Sequence, residues 1–368
     1  MIRVNEPLFI SNEKEYLNKC IDDKWISSEG PFVKEFEDKF SSYVSRKYGV
    51  AVSSGTAALE LAVRVLDLKE GDEVILPTFT IISCLLAVLA AKAKPVFIDS
   101  EMETFNIDVS KIEEKITKRT KAIMPVHIYG HPCDMDPILR IARKYGLKII
   151  EDAAEVHGAE YKGKKCGSFG DISAFSFYAN KIISTGEGGM ILTDKKDYAE
   201  KERTLRNLAF MKKKRFYHEE LGKNYRMTNL QAAIGVAQLK NIEKLVGIKR
   251  KNAEKYTERL KDVSGIKLPT EKEWAKSVYW MYGIVLDKST GYNAVSFAKK
   301  LLENGIETRP FFYPLHLQPV LKKLNIKAKG KFPVAEMISK QSLYLPSGLG
   351  LKEEEIDKVS DTIKRLLQ

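Results

Sequence analysis

Residues 174–190 read "AFSFYANKIISTGEGGM", with Lys181 between an aromatic, strand-like run and a glycine-rich turn. A lysine ordinarily packs its stem on the surface and keeps its ammonium in water. In a partly desolvated turn its pKa falls, and the amine becomes both nucleophile and base. Ser176 lies close enough in sequence for its hydroxyl to share the site. The "TGEGG" turn lets backbone pass close to whatever the lysine holds. Taken alone, the stretch also reads as a solvated loop lysine, so the rest of the chain has to decide.

Two other constellations bear on it. In "VSSGTAALELA", Ser53 or Ser54 can cap a helix whose first turn, at Gly55 and Thr56, leaves backbone N–H groups free. Such an N-terminus is a ready anion site, especially for phosphate, although many helices begin this way and bind nothing. In "IIEDAAEVHG", Asp152 closes an apolar strand, with Ala153 and Ala154 beside it making room for something flat. Asp152 reads either as a cap for the following segment or as a carboxylate aimed into a ligand site, with Glu155 and His157 near it. A phosphate cradle, a carboxylate at a strand end and a desolvated lysine together specify pyridoxal 5′-phosphate. Lys181 forms the Schiff base, and Asp152 keeps the pyridine nitrogen protonated so that the ring can take up electrons.

These groups need a frame. Strand-like and helix-like stretches alternate from about residue 48 to 240: "YGVAVSS", "DEVILPTFT", "KPVFIDS", "TKAIMPVHIYG", "LKIIEDAA", "DISAFSFYA" and "GGMILTD" as strands, "GTAALELAVRVLDL" and "SCLLAVLAAKA" as helices. That alternation predicts an α/β sheet, mostly parallel, with ligands off the carboxyl ends of its strands. Beyond residue 240 the texture changes. "KNIEKLVGIKRKNAEKYTERLKDV" predicts a long charged helix, followed by "VYWMYGIVL", "SFAKKLLENGIETRPFFYP" and a last helix, "KEEEIDKVSDTIKRLL". A large domain over residues 1–240 and a smaller α/β domain over 241–368 are expected.

Composition narrows the classes further. The 368 residues are 44% hydrophobic and 30% charged, an ordinary globular balance. No apolar run is long enough to span a bilayer, and the N-terminal stretch does not read as a secretory signal. Cys20, Cys84, Cys133 and Cys166 are far apart, without metal-ligand spacing, so no metal is expected and a reduced, cytoplasmic protein fits best. The net charge of +12 is spread along the chain among 49 acidic residues. The densest run, Lys212–Arg215, reads either as a solvated face or as a contact for phosphates. A nicotinamide dehydrogenase would need G-x-G-x-x-G after the first strand, which "SSGTAA" does not supply. A cofactor-binding regulator would want a DNA-reading segment, and none is read ahead of the α/β region.

The same motifs, in order with "DDKWISSEGPFVKEFE", "NYRMTNLQAAIG" and "GIETRPFFYPLH", resemble the sugar aminotransferases of the DegT/DnrJ/EryC1/StrS family over nearly the whole chain. The resemblance implies an aspartate-aminotransferase-like, type I pyridoxal phosphate fold. It implies transfer of an amino group from L-glutamate to a nucleotide-linked keto-sugar, for surface polysaccharide synthesis, in a homodimer with shared sites. Carried over by position, Lys181 is the Schiff-base lysine, Asp152 the pyridine-nitrogen partner, and Gly55, Thr56 and Ser176 the phosphate holders, with Ala154 beside the ring. Asn224, in "NYRM", would reach the phosphate in the neighbouring subunit's site. Glu155 stands beside the cofactor O3′, where many relatives have Gln. The branch that aminates GDP-4-keto-6-deoxymannose resembles this chain in having Glu, while dTDP- or UDP-linked keto-sugars and a small keto-phosphate are the alternative acceptors. Ile81 takes the place of an aromatic residue that usually stacks on the cofactor. His127, Arg309 and His316 lie in segments that border the sugar site in relatives, although His316 also reads as a turn histidine after Pro314. The family's dehydratase branch has histidine in place of the lysine, so Lys181 points to transamination.

Overall fold

The computed structural model describes residues 1–211, 214 and 216–368. A seven-stranded sheet forms its centre, running from edge to edge through Tyr48–Val52, Gly189–Thr193, Ile172–Ser176, Lys148–Asp152, Thr120–Ile123, Glu73–Pro77 and Lys94–Ile98. Neighbours pair in parallel from Ile172–Ser176 to Lys94–Ile98, whereas Gly189–Thr193 runs antiparallel to both its neighbours. The central strands are apolar on both faces, as "EVILP" and "ISAFS" show, because helices cover both sides. The mostly parallel sheet expected from the alternation is therefore present.

Strand ends fall where proline or a polar residue stops the ladder, and those ends carry the site. The predicted strand "TKAIMPVHIYG" stops at Ile123, two residues short of Pro125, which has no N–H for a ladder. The chain then turns through Ile128–Gly130, with Tyr129 in the left-handed region at φ 52°. Such a conformation in a bulky residue is strained, and it marks a place held by its surroundings.

The helix Gly55–Arg64 starts at Ser54, whose hydroxyl accepts from Ala57 N at 3.1 Å, a cap worth about 1 kcal/mol. The predicted long charged helix spans Ile242–Leu260. It leads to a second sheet, all antiparallel, in the order Ile266–Lys267, Tyr282–Leu286, Ser342–Leu345, Arg309–Pro310. That sheet and the last helix, Glu353–Leu367, enclose their own apolar cluster around Tyr282, Phe297 and Val359. Ile2 joins the same cluster and bridges to Ile306, so the first residues pack with the C-terminal layer. Among the described residues, no helix is long and apolar enough to cross a membrane.

Candidate active site

The carboxyl ends of Lys148–Asp152 and Ile172–Ser176, the N-terminus of Gly55–Arg64 and the loop carrying Lys181 converge on a cavity of about 320 Å³. Gly55, Thr56, Ile81, Asp152, Ala154, Glu155, Ser176 and Lys181 all lie on its wall. Among the described residues, three surface clefts are larger, two of about 620 Å³ and one of about 480 Å³, but none has a lysine facing buried carboxylates.

Lys181 is nearly buried, with 9% of its side chain exposed, and its Nζ lies 3.9 Å from Glu155 Oε1. Burial lowers the lysine pKa, while Glu155 and Asp152 pull it back up. Burial raises Glu155 in turn, opposed by Lys181 and by the N–H of Tyr129, which donates to Glu155 Oε2 at 2.7 Å. The left-handed turn at Tyr129 aims that N–H. Burial thus disfavours the charge on both groups, and each one's charge restores part of the other's.

Asp152 is fixed by two donors. Ala154 N donates to Oδ1 at 3.1 Å, and the Cys84 thiol donates to Oδ2 at 3.1 Å from the helix Ile82–Ala90. Burial raises the Cys84 pKa well above its ordinary value, and the neighbouring Asp152 adds to this, so the sulfur stays a protonated donor. Burial also raises Asp152 itself, leaving it ready for a cationic partner.

At the other end of the cavity, Thr56 Oγ1 and Ser83 Oγ share a hydrogen bond of 2.8 Å. Gly55 lies against the Ser176 strand end, and a Cβ there would come within 2.7 Å of Ser176 Cβ. Only glycine lets the helix N-terminus close on that serine. Free first-turn N–H groups, three nearby hydroxyls and the helix dipole suit a phosphate dianion. A buried carboxylate and a desolvated amine complete the donor set that pyridoxal 5′-phosphate requires, so the residues fit that group.

Three expected substrate contacts are not brought to the wall. Val126 pairs with Asp152 and faces the cavity, so alternation turns His127 to the opposite side with Glu151. There His127 Nε2 lies 3.0 Å from Glu151 Oε1, and its Nδ1 accepts from Cys133 N at 2.9 Å. Cys166 lies close to this pair, but both ring nitrogens are already engaged by protein, and the cluster serves as internal support. His316 clips its loop to a strand end through Thr78 Oγ1 at 2.7 Å, packs on Phe332 and pairs with Glu336. Arg309 sits opposite Tyr344, a wall residue, but its guanidinium turns to Glu307 at 3.0 Å. Asn224 bridges to Asn207, away from this chain's cavity. Of the basic run, all but Lys214 lies outside the described residues.

Several wall residues carried no signal that the sequence reading used. Tyr129, Trp280, Phe312 and Tyr344 form an aromatic side of the cavity, with Tyr129 stacked on Phe312 at 5.3 Å. Trp280 and Tyr344 come from the C-terminal layer, and only the fold brings them here. "HIYG" after a proline could have flagged Tyr129.

The seven-stranded, mostly parallel sheet and the cavity at its strand ends together define the type I pyridoxal-phosphate fold. Residues 8–364 match the model of the DegT/DnrJ/EryC1/StrS aminotransferase family, and the chain belongs to that family. It is 42% identical over 367 residues to the GDP-perosamine synthase of Caulobacter vibrioides, covering 100% of this chain and 98% of the relative. It is 41% identical to the GDP-perosamine synthase of Escherichia coli O157:H7, covering 98% of this chain and 97% of the relative. Among solved structures, the aminotransferase TlmJ from Streptoalloteichus hindustanus superposes with a TM-score of 0.93 at 29% identity, covering 100% of this chain and 99% of that one. The chain is a pyridoxal-phosphate-dependent aminotransferase.

Proposed function

We propose that the chain transfers the amino group of L-glutamate to C4 of GDP-4-keto-6-deoxymannose, giving GDP-perosamine for a surface polysaccharide. The observation that carries this reading is the full-length likeness to two GDP-perosamine synthases at 41–42% identity. Glu155, at the position where the resembling branch also has Glu, lies on the cavity wall beside Lys181 and supports it.

When bound, pyridoxal phosphate supplies an electron-withdrawing ring that stabilises the charge left when a proton departs from carbon. Lys181 is the base that takes that proton from the donor's α-carbon and the acid that returns one at the sugar carbon. Asp152, held by Cys84 and Ala154, would keep the ring nitrogen protonated. The first turn of Gly55–Arg64 and Ser176 would hold the phosphate, and Ile81, on the same wall, would lie against the ring.

We further propose a homodimer in which Asn224 reaches the partner's phosphate. Exposed apolar side chains near the N-terminus, Phe9, Ile21, Trp25 and Ile26, support a covered face there. Residues 1–240 would carry the cofactor, and the C-terminal layer would close over it. Four buried, unbridged cysteines fit a cytoplasmic setting.

The test incubates the purified protein with pyridoxal phosphate, L-glutamate and, separately, GDP-, dTDP- and UDP-linked 4-keto-6-deoxyhexoses, reading amino-sugar products by mass spectrometry. Product from the GDP-mannose-derived ketone alone is expected. Product from another ketone only would move the substrate and keep the chemistry.

A further inference from the structure

Trp280 stands two residues ahead of the strand Tyr282–Leu286, is 4% exposed and forms part of the cavity wall. Its face meets Lys181 and its N–H edge meets the residue before it. Lys181 Nζ lies 3.6 Å from the centroid of the indole ring. The indole Nε1–H donates at 2.7 Å to the backbone carbonyl of Asn180, the residue immediately before Lys181. Asn5 Nδ2 donates to the same carbonyl at 2.9 Å. A carbonyl oxygen has two lone pairs, so both donors can be accepted at once. The peptide from which the lysine side chain springs is thereby fixed from the C-terminal layer and from the N-terminal segment.

An amine that is at times covalently engaged and at times free needs a defined place to go when free. The negative face of an aromatic ring attracts an ammonium strongly in a desolvated site and gives a neutral amine no such attraction. Among the described residues, the other charged or titratable groups around Lys181 are Glu155, Asp152 and His157, with the Tyr129 and Tyr344 phenols facing Glu155 and with Glu187 and Tyr178 on the same cavity wall.

We infer that Trp280 is a positioning residue for Lys181: its ring face receives the ammonium whenever the amine is free, and its N–H fixes the Asn180 peptide that sets where the amine can reach. The inference rests on the reading of Lys181 as the cofactor lysine. It gives the C-terminal layer a direct hold on the reacting amine. Burial draws the lysine toward the neutral amine, and the ring draws it back toward the ammonium.

The test uses the full-length chain freed of cofactor. Lys181 is acetylated by brief pulses of acetic anhydride across a pH series, and the fraction labelled is read by mass spectrometry to give a half-labelling pH. Trp280→Leu removes the ring face, and its half-labelling pH is expected to fall by about one unit, a tenfold change in the amine-to-ammonium ratio. Trp280→Met is measured beside it with the same expectation, so a folding failure of one, seen by circular dichroism, leaves the other decisive. Trp280→Phe keeps a π face and should recover most of the wild-type midpoint. Asn5→Ala removes the second donor to Asn180 while sparing the ring, and should leave the midpoint in place. An unchanged or raised midpoint in the folded Leu or Met variant overturns the inference. So does a Phe variant that shifts as far as they do. A parallel wild-type sample saturated with pyridoxal phosphate should protect Lys181 from label. Loss of that protection would sink the cofactor reading, a result separate from the pH midpoints.

Discussion

Among the described residues, Lys181 and Lys249 are both taken out of water, and of the two Lys181 lies on the cavity wall. Lys181 faces Glu155 across 3.9 Å in a cavity of about 320 Å³. Lys249, on the long helix Ile242–Leu260, is more deeply buried, at 3% exposure, and its ammonium donates to the Ser347 carbonyl. Burial alone pushes Lys249 down to about 7. Among the described residues, no carboxylate pairs with it, and it does not lie on the wall of that cavity. A depressed lysine pKa is therefore not a sufficient mark of a catalytic amine. What distinguishes Lys181 is a carboxylate 3.9 Å from its Nζ, an aromatic face beside its ammonium and a cavity at its side.

The sharpest way to break the comparison is to remove each amine. Lys181→Ala should lower turnover on the order of 10⁴-fold, since it deletes the only proposed proton carrier. It should also abolish the visible absorbance that pyridoxal phosphate gives when bonded to the wild-type lysine. Lys249→Ala should leave both the absorbance and turnover as they are. Loss of turnover in both variants, with the folds intact, would mean that the cavity does not define the reactive lysine.

The next effect lies at two adjacent carboxylates. Strand alternation sends Asp152 to the cavity and Glu151 to the opposite side, where it accepts from His127 and from the N–H groups of Gly167, Phe169 and Gly170. Burial would raise Glu151, but the His127 hydrogen bond leads the contacts that hold it below the usual carboxylate range. Asp152→Asn should cost on the order of 10²–10³ in turnover, by removing a fixed charge where ring charge develops. Glu151→Gln should instead cost about 3 kcal/mol of stability, read by chemical denaturation. A catalytic loss in the Glu151 variant equal to that of Asp152→Asn would show that the two faces are not separate.

Smaller still is the effect at the phosphate cradle. Gly55→Ala places a methyl within 2.7 Å of Ser176 Cβ, so the helix N-terminus must back away from the strand end. Cofactor affinity, read by fluorescence titration, should fall on the order of tenfold, with little loss of maximal turnover. Unchanged affinity would place the phosphate elsewhere.

How much of this was legible beforehand depended on whether a residue acts through its neighbours in sequence or through the fold. The parallel sheet was readable because buried strands such as "EVILP" are apolar throughout and alternate with amphipathic helices. That Lys181, Asp152 and Gly55 meet on one cavity wall was readable because strand ends and helix starts have local signatures. That His127 turns off this wall was not, because one step along an extended chain reverses a side chain, and Pro125 hid the register. Trp280 and Tyr344 were invisible for a different reason. They reach the cavity from a layer more than a hundred residues away in sequence from Tyr129, and no periodicity encodes that meeting. The predicted strand "VYWMYGIVL" is extended only from Tyr282, and the irregular residues before it are the ones that carry Trp280 to the wall.

Lys249 offers the cleanest sign. Its pKa is about 7 when folded and about 10.4 in an unfolded chain. Between those values the unfolded state binds more protons, so stability rises with pH across that window. The cost of burying the ammonium is fully present below about pH 7 and vanishes above about pH 10. Lys249→Met keeps the stem's volume and removes the charge, so it should stabilise the chain by about 1–3 kcal/mol at pH 6, allowing for the lost bond to Ser347. The gain should shrink steadily as the pH approaches 10, because the wild-type lysine then sheds its proton too. Melting temperatures of the two proteins measured across that range would show it as converging curves. Parallel curves would mean that Lys249 keeps its charge when folded, and that burial by itself does not neutralise a lysine in this fold. The depressed proton affinity of Lys181 would then have to come from its cavity rather than from burial alone.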